Sequence, residues 1–225
     1  MVGMMLWEPA GHMLRPVVLR EVSVLHVRFL RAGILRGERT PEAAVRRRVR
    51  AAGKKLLRQG TGRVILPAGL PADALPEGLC PVGTLPLRRA IAADWCGQLL
   101  RLRGKNPAGA RVLVTANALS GEVVRTVTEL ALRHRYLLLE VPCGGEELCR
   151  RLRREYGVSV LLHPAPGEAA DAQIAFDLAE CRGESFLPLY DETLPMPHLI
   201  LPPELESRLP EGADRGQLLS VLWEM

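Results

Sequence analysis

Between residues 110 and 177 the spacing of hydrophobic and polar positions changes in a regular way. An apolar run, Val112–Val114, leads through a short turn to Gly121–His134, where Val123, Val124, Val127, Leu130 and Ala131 recur at helical spacing. A second run, Tyr136–Glu140, precedes Gly145–Tyr156, which turns Leu148, Cys149, Leu152 and Tyr156 inward and Arg150, Arg151, Arg153 and Arg154 outward. Val158–Leu162 and Ala172–Phe176 are two further strand-like runs. Strand and helix periods alternating with short turns predict an α/β fold built on a doubly wound, mainly parallel sheet.

Upstream, Val22–Phe29 reads as a strand, with Leu25, Val27 and Phe29 alternating against His26 and Arg28, and His26 as a partly exposed strand residue. Thr40-Pro41-Glu42 opens a helix, with Thr as cap, Pro at the first helical position and Glu at the positive end of the dipole. Val45, Val49, Ala52 and Leu56 form its apolar stripe, and Gly60 and Gly62 end it before a strand at Arg63–Leu66. Pro67–Pro86 holds five prolines and three glycines, which predicts irregular chain and a subdomain junction. Leu87–Leu102 reads as one helix with Leu87, Ile91, Trp95, Leu99 and Leu102 on a stripe, an exposed Asp94 and a buried Cys96; residues 105–109 then carry turn chemistry.

At the other end, Phe186–Pro210 carries six prolines and is expected to run extended over the surface. Leu199–Leu201 is a candidate edge strand there, and His198 a surface residue. Asp214 and Gln217 make a capping pattern for a last helix whose Leu218, Leu219, Leu222 and Trp223 dock on the domain or on a second copy of the chain. Four segments result: a smaller N-terminal α/β segment (1–85), a linking helix and turn (86–109), the α/β core (110–185) and a Pro-rich stretch with closing helix (186–225).

Composition narrows the class. Hydrophobic residues make up 48% of the chain and aromatics 4%, so the core is aliphatic. Cys80, Cys96, Cys143, Cys149 and Cys181 form no C-x-x-C pair and are odd in number, which predicts reduced thiols and a cytoplasmic setting. No apolar run is long enough to cross a bilayer, and the first twenty residues lack a continuous apolar signal region. The formal charge of +5 is a modest excess. Its densest source is the helix at 41–59, with Arg46, Arg47, Arg48, Arg50, Lys54, Lys55 and Arg58. That face is either solvated or a phosphate-binding surface for nucleic acid.

The turn after Val112–Val114 carries the most specific pattern. Ala116-Asn117-Ala118-Leu119-Ser120-Gly121 has the position and spacing of G-x-G-x-x-G, with alanine in the first two glycine places. Glu140 ends the next strand, where a dinucleotide fold places the acid that accepts from the adenine ribose. In this, residues 110–177 resemble the NAD(P)-binding Rossmann family. The resemblance implies a Rossmann-like sheet, NAD or NADP as cofactor, and a cofactor site at Ala116, Ala118, Gly121 and Glu140. Ala118 puts a methyl where pyrophosphate needs bare backbone, and Glu122 would repel a phosphate at the same helix end. Gly121 remains for close helix–strand packing.

Other chemistry is sparse. The carboxyl ends of the expected strands carry Thr115, Asn117, Glu140, His163 and Asp177, and a His163–Asp177 pair would make a general base with its orienting carboxylate. Gly144-Gly145 could leave amides open to an anion beside Cys143, or be a plain turn. No metal-ligand spacing, P-loop or activated-serine motif appears. Three functions stay open: a scaffold, sensor or partner-binding protein with a degenerate nucleotide turn; a nucleotide-dependent, oxidoreductase-like enzyme; and a nucleic-acid-associated protein working through the basic helix.

Overall fold

In the computed structural model the chain begins with strands β1 (Val2–Glu8), β2 (Val17–Val24) and β3 (Val27–Leu35), then helix α1 (Glu42–Arg58). Strands β4 (Arg63–Ile65) and β5 (Cys80–Pro81) and helices α2 (Leu85–Ala90) and α3 (Ala92–Leu102) follow. Next come β6 (Arg111–Thr115), α4 (Gly121–Ala131), β7 (Tyr136–Glu140), α5 (Gly145–Tyr156) and β8 (Val160–Leu162). The chain continues through β9 (Ala170–Ala175), β10 (Gly183–Pro188), α6 (Pro203–Glu206) and α7 (Arg215–Glu224). The structure describes residues 1–9, 16–37, 39–165, 168–194, 196, 199 and 201–224. His198, and Ile200 within the expected strand Leu199–Leu201, lie outside them. None of the described helices is long and apolar enough to cross a membrane.

Two compact units divide the chain: Met1–Thr84 together with His198–Met225, and Leu85–Pro197. The first holds a sheet of order β2-β3-β1-β4-β5, in which only β2 and β3 pair antiparallel. Successive side chains on a strand point to opposite faces, so Met4 and Met5 of central β1 feed two different cores. Met5 joins Ala32, Ile34 and the α1 residues Val49, Ala52 and Leu56. Met4 joins Phe29, Ile65 and the α7 residues Leu218 and Val221. A strand buried on both faces reads as an unbroken apolar run without alternation, which is why Val2–Glu8 gave no period-two signal.

The single strand expected over Val22–Phe29 is instead a hairpin. The chain reverses at Leu25 and His26, whose φ angles are 48° and 71°, and β2 pairs with β3 from Val24↔Val27 to Val17↔Ile34. Such two-residue turns are usually marked by Asn or Gly, and Leu-His carries no such mark. His26 therefore sits exposed at a hairpin tip, not within a strand. Helix α1 forms as its stripe predicts, but Thr40 does not cap it: Pro41 is the N-cap, and Thr40 Oγ1 accepts from the Gly37 amide at 2.9 Å.

At the far end of this unit the Asp214 cap is made, its Oδ1 accepting from Gln217 N at 2.9 Å. The clip is completed by Gln217 Oε1 accepting from Leu66 N and by Asp214 N donating to Leu66 O, both 2.7 Å. Leu218 is buried within the same unit, while Trp223, expected in the docking face, is 57% exposed.

The second unit has an all-parallel sheet, β10-β9-β6-β7-β8. Its first strand lies at the centre and the order reverses beside it, the doubly wound order of a Rossmann-like mononucleotide half. Val112, Val114, Leu137, Leu139, Ala172 and Ile174 share one face and one continuous core with α3, α4 and α5. Leu113 and Leu138, on the opposite face, make a small cluster with Ala170, and among the described residues the connections after β8 and β9 contain no helix. Asp171, at the start of β9, accepts from Lys105 Nζ at 2.6 Å and from Arg111 N at 2.8 Å. The Lys105 contact first, then the Arg111 amide, hold the Asp171 carboxyl below its usual range.

Several expectations change here. Residues 87–102 form two helices broken at Ile91, and Leu102 is 75% exposed in the last turn. Helix α4 stops at Ala131, leaving His134 buried in the loop beyond it. Tyr156, in the last turn of α5, is 48% exposed. The run expected to lie on the surface from Phe186 begins inside β10, with Leu187 buried; an edge strand tolerates the terminal Pro188 that made it look irregular. Asp94 is exposed and paired with Arg133, and Cys96 is buried.

Candidate functional site

In open parallel sheets ligands bind beyond the carboxyl ends of the strands, where the strand order reverses. In Leu85–Pro197 that reversal lies between β6 and β9. The register Thr115↔Glu140 and Thr115↔Ala175 brings the ends of β7, β6 and β9 level. An open cleft of ≈ 770 Å³ lies over these ends, lined among others by Thr115, Ala116, Asn117, Glu140, His163 and Asp177. Ala118 and Gly121 lie outside its lining.

Within the cleft two of the carboxylates are already engaged by groups of the chain itself. Asp177 Oδ2 accepts from the Asn117 amide at 2.8 Å, so a carboxylate of the chain itself occupies an amide of the turn that would face a pyrophosphate. Glu140 forms an ion pair with Arg182. His163 has a left-handed φ of 52°, and its amide donates to Leu139 O at 3.0 Å. A non-glycine residue held there carries backbone strain. His163 and Asp177 line the same cleft, yet no hydrogen bond joins them, and the Asp177 oxygen that makes a contact is turned to Asn117.

The helix end behind the turn is likewise filled. Ser120 caps α4, its Oγ accepting from Val123 N at 3.3 Å, and Glu122 in the first turn pairs with Arg89 at 3.0 Å. Gly121 does not serve close packing: it is exposed, and a Cβ placed on it would meet no atom within 4 Å. The close approach is at Gly145, where an added Cβ would lie 2.5 Å from Leu162 Cδ1 and 2.9 Å from Val141 Cγ2. The N-cap of helix α5 is Gly144, with φ 80° and no side-chain cap, beside the exposed Cys143, and Glu146 and Glu147 complement the helix dipole.

Several residues that shape the cleft escaped the sequence reading. Arg182, Glu180 and Leu178 come from the 176–182 connection, where period-based reading has nothing to follow. Gln173 had a signal, being a lone amide in the apolar run Ala172–Ala175. It is fully buried, accepts from Arg182 N at 2.6 Å and donates to Glu180 O at 2.9 Å, which fixes the connection. Buried amides are kept only where such partners exist. Among the described residues no cluster of three His, Cys, Asp or Glu side chains is arranged to hold a metal ion, and all five cysteines are free thiols.

On α1 the seven bases divide by contact. Arg46 pairs with Glu42 at 3.1 Å, Arg48 donates to Leu35 O at 2.6 Å and Lys55 to Val17 O at 3.0 Å. Arg47, Arg50, Lys54 and Arg58 are exposed on the remaining face.

No family model matches the chain, and no curated protein does. Among solved structures it is similar to L-tryptophan dehydrogenase from Nostoc punctiforme, at 16% identity and TM-score 0.29 over 66% of this chain and 45% of that one. It is also similar to the leucine-bound hetero-hexameric glutamate dehydrogenase from Thermus thermophilus, at 17% identity and TM-score 0.27 over 65% and 44%. The chain spans under half the length of either dehydrogenase.

Proposed function

We propose that this protein is a Rossmann-like scaffold or sensor whose switch-point cleft does not take a dinucleotide. The observation that carries the reading is the 2.8 Å bond from the Asn117 amide to Asp177. A bound diphosphate would have to displace that carboxylate and then sit beside it, with Glu140 and Glu180 also in the lining against one Arg182. Like charges at such range oppose each other in a partly desolvated cleft. The cleft instead suits a neutral or cationic ligand, or a side chain of a partner protein.

A second reading keeps the cleft catalytic, as the site of a nucleotide-dependent, oxidoreductase-like enzyme. It is favoured by Glu140 at the strand end where an acid would meet a ribose, and by the strained His163 at the rim. A thermal-shift screen with NAD, NADP, FAD, S-adenosylmethionine, ATP and GTP separates the two. A ligand at a hundred times its dissociation constant adds roughly 2.7 kcal/mol of stability. Unmoved melting with NAD, NADP and FAD is expected of the wild type. A clear upward shift with any of the three overturns the first reading. Asp177→Asn combined with Ala118→Gly removes both the charge and the methyl, and gain of NAD affinity in that variant identifies them as the obstacle.

A further inference from the structure

The charge of this chain is unevenly divided. Met1–Thr84 with His198–Met225 holds 16 Lys and Arg against 11 Asp and Glu, whereas Leu85–Pro197 holds 14 of each. The whole excess of +5 therefore belongs to the first unit. Within it α1 contributes seven bases and one acid, Glu42, which is spent on Arg46.

The exposed bases of α1 that these contacts do not use fall in a row. Arg47, Arg50, Lys54 and Arg58 recur at i, i+3, i+7 and i+11, which confines them to roughly 80° of helix circumference and spreads them over about 16 Å of axis. The fully buried Val49, Ala52 and Leu56 lie on the opposite side, so the row occupies the pole of α1 that points away from the sheet. Among the described residues no carboxylate comes within ion-pair distance of any of the four. An unopposed line of like charges on a rigid helix repels itself and weakens that helix. A polyanion laid along it removes that repulsion.

We propose that this pole of α1 is a binding surface for double-stranded DNA. The helix carries no aromatic residue, so it offers no platform on which the bases of a single strand could stack. Its apolar side chains are committed to the core and its exposed non-basic neighbours include Ala43 and Ala51, so it has no large apolar group to insert into a bilayer. Three of the four cations are arginine, whose planar fork matches phosphate oxygens. A helix about 10–12 Å across fits the ≈ 12 Å major groove of B-form DNA, while the narrow A-form groove of duplex RNA excludes it. With contacts to phosphate alone, binding is independent of sequence.

The inference stands apart from the cleft in the other unit and is tested by fluorescence anisotropy of the full chain with a labelled random-sequence DNA duplex. Four neutralised phosphates give a slope of about −3.6 in log K against log salt, a loss of roughly 150-fold between 50 and 200 mM. Each of Arg47→Gln, Arg50→Gln, Lys54→Gln and Arg58→Gln lowers that slope by about 0.9, and the fourfold variant is expected to flatten it. Helix α5 supplies the control: Arg153→Gln with Arg154→Gln leaves the slope in place. Circular dichroism verifies that the fourfold variant folds, and the single variants carry the test if it does not. The proposal is overturned if the duplex does not bind, or if the Gln variants keep the full slope. Equal or tighter binding of single-stranded DNA, duplex RNA or phosphatidylserine vesicles overturns it as well.

Discussion

Two helices carry a glycine at mid-span, and the structure assigns opposite signs to filling them. A Cβ on Gly53 of α1 would lie 2.5 Å from both Cδ and Cγ of Pro76 and 3.1 Å from Leu79 Cδ2. A Cβ on Gly97 of α3 would meet nothing closer than the Arg101 guanidinium nitrogens at 3.9 Å. In a helix interior alanine is favoured over glycine by about 0.8–1 kcal/mol. Gly97→Ala should collect that gain. At Gly53 carbon atoms prefer 3.5–4.0 Å, so the pyrrolidine ring has to retreat by about 1 Å. The ring cannot rotate away as a flexible side chain would, and its carbonyl already accepts from Leu79 N at 3.3 Å. Overpacking of this kind costs roughly 1–3 kcal/mol, which leaves Gly53→Ala destabilising by about 1 kcal/mol or more after the helical gain. Urea unfolding measures both, with Trp95 reporting on the unit that contains Gly97, and Trp7 and Trp223 on the unit that contains Gly53. Adding Pro76→Ala to Gly53→Ala should recover most of the loss. If Gly53→Ala stabilises as much as Gly97→Ala, the packing argument at Gly53 is wrong.

Burial first, and then the charge of Arg133, push His134 below the usual histidine range, against a hydrogen bond to the Pro107 carbonyl that raises it. On acidification the unfolded chain takes up that proton before the folded chain does. Stability contributed by neutral His134 is therefore lost as pH falls below about 6.5, with a slope of at most about 1.4 kcal/mol per pH unit, until the folded form also protonates. Urea midpoints between pH 7.5 and 5 should show this slope and lose it in His134→Gln; an unchanged slope would assign it elsewhere. Burial raises the Cys96 thiol to about 12, so at pH 8 alkylation should modify the exposed Cys80, Cys143 and Cys181 quickly and spare Cys96 until the chain is unfolded.

Where period and capping chemistry agreed, the sequence was a good guide. The alternation from Val112 to Glu140 and the Asp214–Gln217 cap rest on local geometry, and both appear in the fold. The reading was poor wherever burial erased the period, as in β1, or where a turn used residues with no preference for it, as at Leu25–His26. The cleft was legible in part for the same reason. Thr115, Glu140, His163 and Asp177 end or follow strands that could be counted along the chain. Arg182 reaches Glu140 from an irregular connection that Gln173 pins, a tertiary effect that no spacing encodes. Gly121 failed in the opposite sense: a familiar position was retained while the contact that normally explains it was absent.

The joining of Leu66 to Gln217, 151 residues apart, has a consequence for the order of assembly on the ribosome. Met4, Phe29 and Ile65 leave the exit tunnel early, yet their partners Leu218 and Val221 are synthesised only after all of Leu85–Pro197. The inserted unit has every one of its strands in hand before the surrounding one is complete. Synthesis thus runs from an unfinished sheet, through a finished one, back to the helix that seals the first, and a nascent chain halted before α7 would present those methionine and phenylalanine side chains to chaperones.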